Sequence, residues 1–233
     1  MELPQTYLAR PDWASAQEPA DWLTPAEILV WASWPSAKRR GEWLAGRLAA
    51  KRLLREAFGL EPLACEIGKE GVAPVVHGLE RPSVRLSLSH CAGLGAASWS
   101  DAGDEGTVGV DAQWVRPVHP GLRDRVFRAE EQAQIAARFG SADDPAGLLL
   151  LWAIKEAAIK ARRAAWGRAL RDIGVTLDEE GAAVVEIAGE APMSAAYVLE
   201  GNWWVARVVR EPGPQDERSS TARQHSRNVN HQW

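Results

Sequence analysis

The chain has 233 residues, 46% of them hydrophobic, a formal charge of −4 and two cysteines. That length and apolar content can bury a sizeable core in one or two lobes, and the near balance of charge excludes a polyelectrolyte binder of nucleic acid or membrane surfaces. Two cysteines are too few for a disulfide framework and no basic n-region precedes an apolar run, so a reducing cytosol is expected and no signal peptide.

Residues 1–35 carry five prolines, Pro4, Pro11, Pro19, Pro25 and Pro35, and are expected to wrap a first lobe. A helix is predicted over 36–58. Arg40, Leu44, Arg47, Lys51 and Arg55 fall on one stripe of it, with Lys38 and Arg39 close by, while Trp43, Gly46, Ala50, Leu53, Leu54 and Ala57 form a separate apolar stripe. Like charges one turn apart repel, so the basic stripe is either a solvated face or one that gains from a polyanion. Arginine's planar fork suits phosphate oxygens.

Short strands are predicted near 64–68, 72–76, 84–89 and 93–99. Ser89 and His90 are strand neighbours that point to opposite faces, so they cannot act as nucleophile and base, and no Gly-x-Ser-x-Gly elbow occurs. Gly93-Leu94-Gly95-Ala96-Ala97-Ser98 is an incomplete dinucleotide fingerprint. The turn-rich run 100–106 leaves no room for the helix that fingerprint needs, so it is rejected. The same run is the expected junction between an N-terminal lobe, 1–105, and a C-terminal lobe, 106–210.

The second lobe opens with a strand at 107–115. Val108, Val110, Ala112 and Trp114 point one way, and Gly109, Asp111 and Gln113 the other. That second face offers two oxygen donors side by side, with Gly109 leaving room for something to approach. Helices are predicted near 128–138 and 146–166, the latter opened by Asp144 and Pro145 and stopped by Gly167. Its first turns, Leu148 to Ile154, are apolar nearly all round, yet Lys155, Glu156 and Lys160 follow, and Trp152, Glu156 and Lys160 share a face. One reading is an exposed Glu–Lys pair worth about 0.3–0.5 kcal/mol. The other sets a helix carboxylate beside the strand's Asp111, the usual protein share of a Mg²⁺ site. Strands near 175–177, 183–187, 195–199 and 203–209 complete the lobe, and a polar tail, 211–233, is expected to be disordered. The fold class expected is α+β, two similar lobes forming a pseudo-dimer, each a small antiparallel sheet packed with helices. No internal sequence repeat is visible.

Gly109-Val110-Asp111-Ala112-Gln113, followed by Trp152-Ala153-Ile154-Lys155-Glu156-Ala157-Ala158-Ile159-Lys160, resembles the signature of the 4'-phosphopantetheinyl transferases of the surfactin-synthetase-activating (Sfp) type. Those enzymes carry a Gly-Val/Ile-Asp-x-Glu strand and a Trp-x-x-Lys-Glu-x-x-x-Lys helix. This chain departs from the strand at Gln113. Gly46-Arg47-Leu48-Ala49-Ala50-Lys51, Gly68-Lys69 and Leu86-Ser87-Leu88-Ser89-His90 extend the resemblance, in family order, over roughly 36–165.

The resemblance implies Mg²⁺-dependent transfer of the 4'-phosphopantetheine arm of coenzyme A to a serine of an apo acyl or peptidyl carrier protein, leaving 3',5'-ADP. The catalyst would be a cytoplasmic monomer without nucleic-acid or membrane partners. Asp111 and Glu156 would hold the metal, with Gln113 a weak or water-mediated ligand. Catalysis would rest on Asp111, Glu156 as base, and Lys160 at the leaving group. Arg47, Lys69 and Arg40 (or its neighbours Lys38 and Arg39) would hold the nucleotide end of coenzyme A. Ser89, His90 and Lys160 would meet its phosphates, and Lys155, in a supporting role, phosphate or carrier. Gln113 keeps open a rival of another class, a non-catalytic homologue that binds coenzyme A or a carrier protein.

Overall fold

The computed structural model describes residues 3–81, 83–101, 107–119, 121–163, 167–178 and 181–211. The expected lobe boundary at 105/106 and all but the first residue of the expected tail lie outside these.

The first half runs β1 (Thr6–Ala9), α1 (Pro11–Ser15), α2 (Pro19–Trp22), α3 (Pro25–Ser33), α4 (Ala37–Phe58), the hairpin β2 (Glu66–Glu70) and β3 (Ala73–His77), and the hairpin β4 (Val84–Cys91) and β5 (Leu94–Asp101). The second half follows the same order with one helix fewer: β6 (Thr107–Trp114), α5 (Leu122–Val126), α6 (Ala129–Phe139), α7 (Pro145–Ala161), then β7 (Ile173–Leu177), β8 (Ala182–Ile187), β9 (Met193–Glu200) and β10 (Trp203–Arg210). Every pairing is antiparallel, in the orders β1-β5-β4, β2-β3 and β6-β10-β9-β8-β7. The expected α+β pseudo-dimer is the fold observed.

Local chemistry sets the two long helices. Ser36 accepts from Arg39 N at the start of α4, and Gly59 closes it at φ 66°. Asp144 accepts from Gly147 N to open α7, with Pro145 in its first turn. The helix ends at Ala161, short of the predicted 166, and Arg163 leaves it at φ 52°. Leu150, Leu151 and Ile154 are fully buried, each stabilising by about 1.5–3 kcal/mol. Each half has its own core around its long helix, and Leu94 and Ala96 of β5 meet Val110 and Ala112 of β6 and Val205 of β10 in a third cluster that joins the two sheets.

One buried device recurs. Glu27, third residue of α3, accepts from Thr24 N in a capping box and from Ile67 N of β2, and pairs with Lys51 of α4 at 2.7 Å. Glu131, third residue of α6, accepts from Arg128 N and from Val175 N of β7, and pairs with Lys155 of α7 at 2.8 Å. Both lysines are fully buried and spend their other N–H groups on backbone carbonyls, Pro62 and Cys65 in one half, Val126 and Leu170 in the other. A buried charge survives only when so paired and bonded. Among the described residues no helix is long and apolar enough to cross a membrane.

Candidate active site

A cleft of about 840 Å³ opens where the halves meet, walled by α4, β2, β4, β6 and α7. Asp111, 5% exposed, sits midway along β6. Its Oδ1 accepts from Ser89 Oγ of β4 at 2.8 Å and from Lys160 Nζ at 2.7 Å, and its Oδ2 accepts from Gln113 Nε2 at 2.8 Å. Ser87 and Ser89 hydroxyls in turn accept from Val110 N and Ala112 N, so side chains substitute for a strand ladder between β4 and β6. Lys160 also donates to Leu88 O at 3.2 Å and Val110 O at 3.0 Å, which ties both halves to one ammonium.

Glu156, one turn before Lys160 on α7, is half-buried and lines the same cleft. Burial first, and the neighbouring Asp111 second, push its carboxyl above the usual glutamate range, partly offset by Lys160. A glutamate whose ionisation is opposed by a neighbouring buried carboxylate marks a site that favours a cation. Two acids and an amide fit Mg²⁺, which keeps waters and completes its shell from a phosphorylated substrate. Among the described residues there is no cluster of three or more His, Cys, Asp or Glu of the kind a zinc site needs.

Cations line the same cleft. Arg47 lines the cleft with its guanidinium 4.6 Å from the Trp43 ring centroid and its Nε 3.9 Å from Glu27 Oε1. Burial lowers its pKa and Glu27 opposes that. Lys69 of β2 is exposed at the rim. His90 lies against Gly46, where an added Cβ would come within 3.5 Å of its ring, so the Gly-Arg and Ser-His segments meet in space. Arg163 also lines the cleft, a residue the sequence places in the last turn of the helix predicted over 146–166 and does not single out. Its pKa is lowered by burial and by Arg85.

Several expectations need correction. Lys155 does not face the cleft: it is fully buried, bonded to Glu131, Val126 O and Leu170 O, because a step of about 100° from Glu156 turns it into the second core. Arg40 does not line the cleft either, its guanidinium donating to Trp34 O, while Arg39 stacks over the Trp34 ring. The basic stripe of α4 is not one ligand face. Only Arg47 of it opens to the cleft, Lys51 being buried with Glu27 and Arg55 stacked on Trp22. The room at Gly109 is filled by α7 itself, since a Cβ there would lie 1.8 Å from Ala157 O. All three Lys160 N–H groups have protein acceptors, and the Gln113 amide N–H faces Asp111.

Residues 107–209 match the family described as the 4'-phosphopantetheinyl transferase superfamily. The chain is 27% identical over 174 residues to the 4'-phosphopantetheinyl transferase psf-1 of Bacillus pumilus, covering 72% of this chain and 71% of that protein. Among solved structures it is similar to the Thermotoga maritima holo-[acyl-carrier-protein] synthase, 22% identical with a TM-score of 0.39, over 47% of this chain and 66% of that one. It is also similar to a Chronobacterium ammoniagenes ACPS–CoA complex, 23% identical with a TM-score of 0.39, over 48% of this chain and 100% of that one. The resemblance read from the motifs, and the transferase class with it, is borne out.

Proposed function

We propose that this chain, whose residues 107–209 match the 4'-phosphopantetheinyl transferase superfamily, moves the phosphopantetheine arm of coenzyme A onto a serine of an apo acyl or peptidyl carrier protein and leaves 3',5'-ADP. The observation that carries the reading is the pairing of opposite charges in one cleft: the acids Asp111 and Glu156 and the cations Arg47, Lys69 and Arg163 all line it. That combination suits a substrate with a pyrophosphate to coordinate and a further phosphate to neutralise.

Mg²⁺ held by Asp111 and Glu156 would neutralise charge as the P–O bond breaks. Glu156 takes the proton of the incoming serine hydroxyl, directly or through water, and its raised pKa brings it closer to that task at neutral pH. The serine oxygen bonds to the phosphorus nearest the pantetheine, the bridging P–O bond breaks, and the electron pair leaves with 3',5'-ADP. Lys160 fixes Asp111 Oδ1 and places a positive charge beneath the phosphates, acting through orientation more than as a free donor. Ser89, bonded to the same oxygen, shares that role. Lys155 holds α7 in place from its core side.

The direct test mixes the protein with an apo carrier protein, coenzyme A and Mg²⁺ and weighs the carrier by intact-mass spectrometry. The carrier is expected to gain one phosphopantetheine arm, and EDTA to abolish the gain. Turnover that survives thorough metal removal overturns the metal's part in the mechanism. The second reading, a binding module without catalysis, is favoured by the Gln113 amide bonded to Asp111 Oδ2. Coenzyme A binding with no gain on any carrier would select it.

Gln113→Glu separates these further. A third carboxylate in place of an amide donor raises the negative charge around the metal. The variant is expected to lower the Mg²⁺ needed for half-maximal rate by about tenfold, the scale on which outer partners tune metal affinity. An unchanged Mg²⁺ dependence places residue 113 outside the metal's surroundings.

A further inference from the structure

The Glu–Lys device described above occurs twice, at the same separation of 24 residues, yet its surroundings differ in one respect. Four residues before Lys155 stands Leu151, packed in the second core; four residues before Lys51 stands Arg47, in the cleft. The first copy therefore has something to hold that the second lacks. Glu27 is 3% exposed, lines the cleft, and has Arg47 Nε 3.9 Å from its Oε1. Its other contacts are fixed: Oε1 accepts from Ile67 N at 3.0 Å, and Oε2 accepts from Thr24 N at 3.0 Å and faces Lys51 at 2.7 Å.

Arg47 is held on two sides and bonded on neither. The Trp43 ring covers one side, the Glu27 carboxylate stands beside Nε, and that buried Nε has no hydrogen-bond partner among the described residues. A guanidinium in a dry site has its charge destabilised by lost solvation. A nearby carboxylate locked by two backbone N–H groups and a lysine compensates in part, without saturating the arginine's donors. An arginine kept charged, oriented and unsaturated is one prepared for an incoming anion.

We infer that Glu27 is a positioning residue for anion binding, holding Arg47 extended in the cleft so that its guanidinium meets a phosphate of the substrate without rearrangement. The inference deepens the function proposed above and rests on it. Glu131, the matching residue of the second half, is likewise buried and makes the same kind of bonds, but among the described residues no arginine side chain is paired with it. It is the internal control.

The test measures the Kd for coenzyme A by quenching of intrinsic tryptophan fluorescence, beside kcat and KM in the transfer assay. Because Glu27→Gln strands Lys51, the pair is also replaced together as Glu27→Gln/Lys51→Met, which removes both buried charges at once. Both variants are expected to raise the Kd and KM for coenzyme A by about tenfold with kcat held within about twofold. In an Arg47→Ala background the same changes should add nothing further, since Glu27 acts through Arg47. Glu131→Gln is expected to lower the melting temperature and leave the Kd unchanged. Wild-type affinity in the double variant, or additive losses with Arg47→Ala, overturns the positioning role and leaves the proposed function standing. A wild-type protein that binds no coenzyme A overturns both.

Discussion

Glu156→Gln is expected to abolish measurable transfer and, in the absence of metal, to melt at a higher temperature than the wild type at neutral pH. Loss of the base alone costs roughly 10²–10⁴-fold in rate, and loss of a metal-binding carboxylate adds to it. The stability gain follows from the sign of the pKa shift. Burial and Asp111 raise the folded-state value of Glu156 above its unfolded value. Between the two values the folded protein binds more protons than the unfolded one, so stability falls as pH climbs through that window. The window opens at the ordinary glutamate value, about 4.3, and closes above the raised one, and the penalty grows as pH climbs through it. Glutamine is neutral and escapes it, so the two melting curves should converge in acid and separate toward neutrality. Added Mg²⁺ should raise the melting temperature of the wild type and not of the variant. A near-normal rate for the variant at saturating Mg²⁺ would mean that Glu156 is a surface ion-pair residue after all. A variant less stable than the wild type in EDTA at neutral pH would show that the acid pair is not strained.

Much of this site was legible in local spacing. Asp111 and Gln113 share a strand face at period two, and Glu156 and Lys160 share a helix face one turn apart, so each pair is fixed within one element. Their meeting was legible only through the order of the motifs, because the Asp111–Lys160 bond spans 49 residues. Lys155 was misread for a physical reason: α7 is buried nearly all round, so its apolar pattern does not say which polar residue faces the cleft and which the core. What decides is Glu131, on a different helix, and nothing near Lys155 in sequence announces it. The stripe on α4 failed in the same way, since Lys51 reads as surface charge until Glu27 is seen beneath it. The duplication was invisible as sequence identity because a repeated fold needs only its pairing positions kept. Here Glu27 with Lys51 and Glu131 with Lys155 coincide, while Glu156 and Lys160, the proposed catalytic positions, correspond to Arg52 and Glu56, a surface pair of inverted charge order.

Gly109→Ala tests the contact on which the whole site depends. A Cβ at this position would lie 1.8 Å from Ala157 O and 2.6 Å from Ala161 N, and both are backbone atoms of α7 that no rotamer change can move. Ala157 adjoins Glu156, and Ala161 adjoins Lys160 while its carbonyl accepts from the Thr107 hydroxyl of β6. Relief requires the helix to retreat from the strand, which separates Glu156 and Lys160 from Asp111. Overpacking of this kind costs typically about 1–3 kcal/mol, or more against rigid backbone. In a chain of this size that corresponds to a melting temperature lower by roughly 2–12 °C. A displacement of about 1 Å between reacting groups can cost about 10²-fold in rate, so kcat should fall at temperatures where the variant is still folded. Gly95→Ala provides the comparison. There a Cβ would lie 1.9 Å from Ala45 O, backbone of α4 two residues before Arg47, and the acid pair on β6 and α7 is not touched. Similar destabilisation is expected, but the kinetic loss should appear in the KM for coenzyme A and not in kcat. If Gly109→Ala instead keeps the melting temperature and kcat of the wild type, α7 is not seated on β6 at this point, and the juxtaposition of Asp111 with Glu156 fails with it.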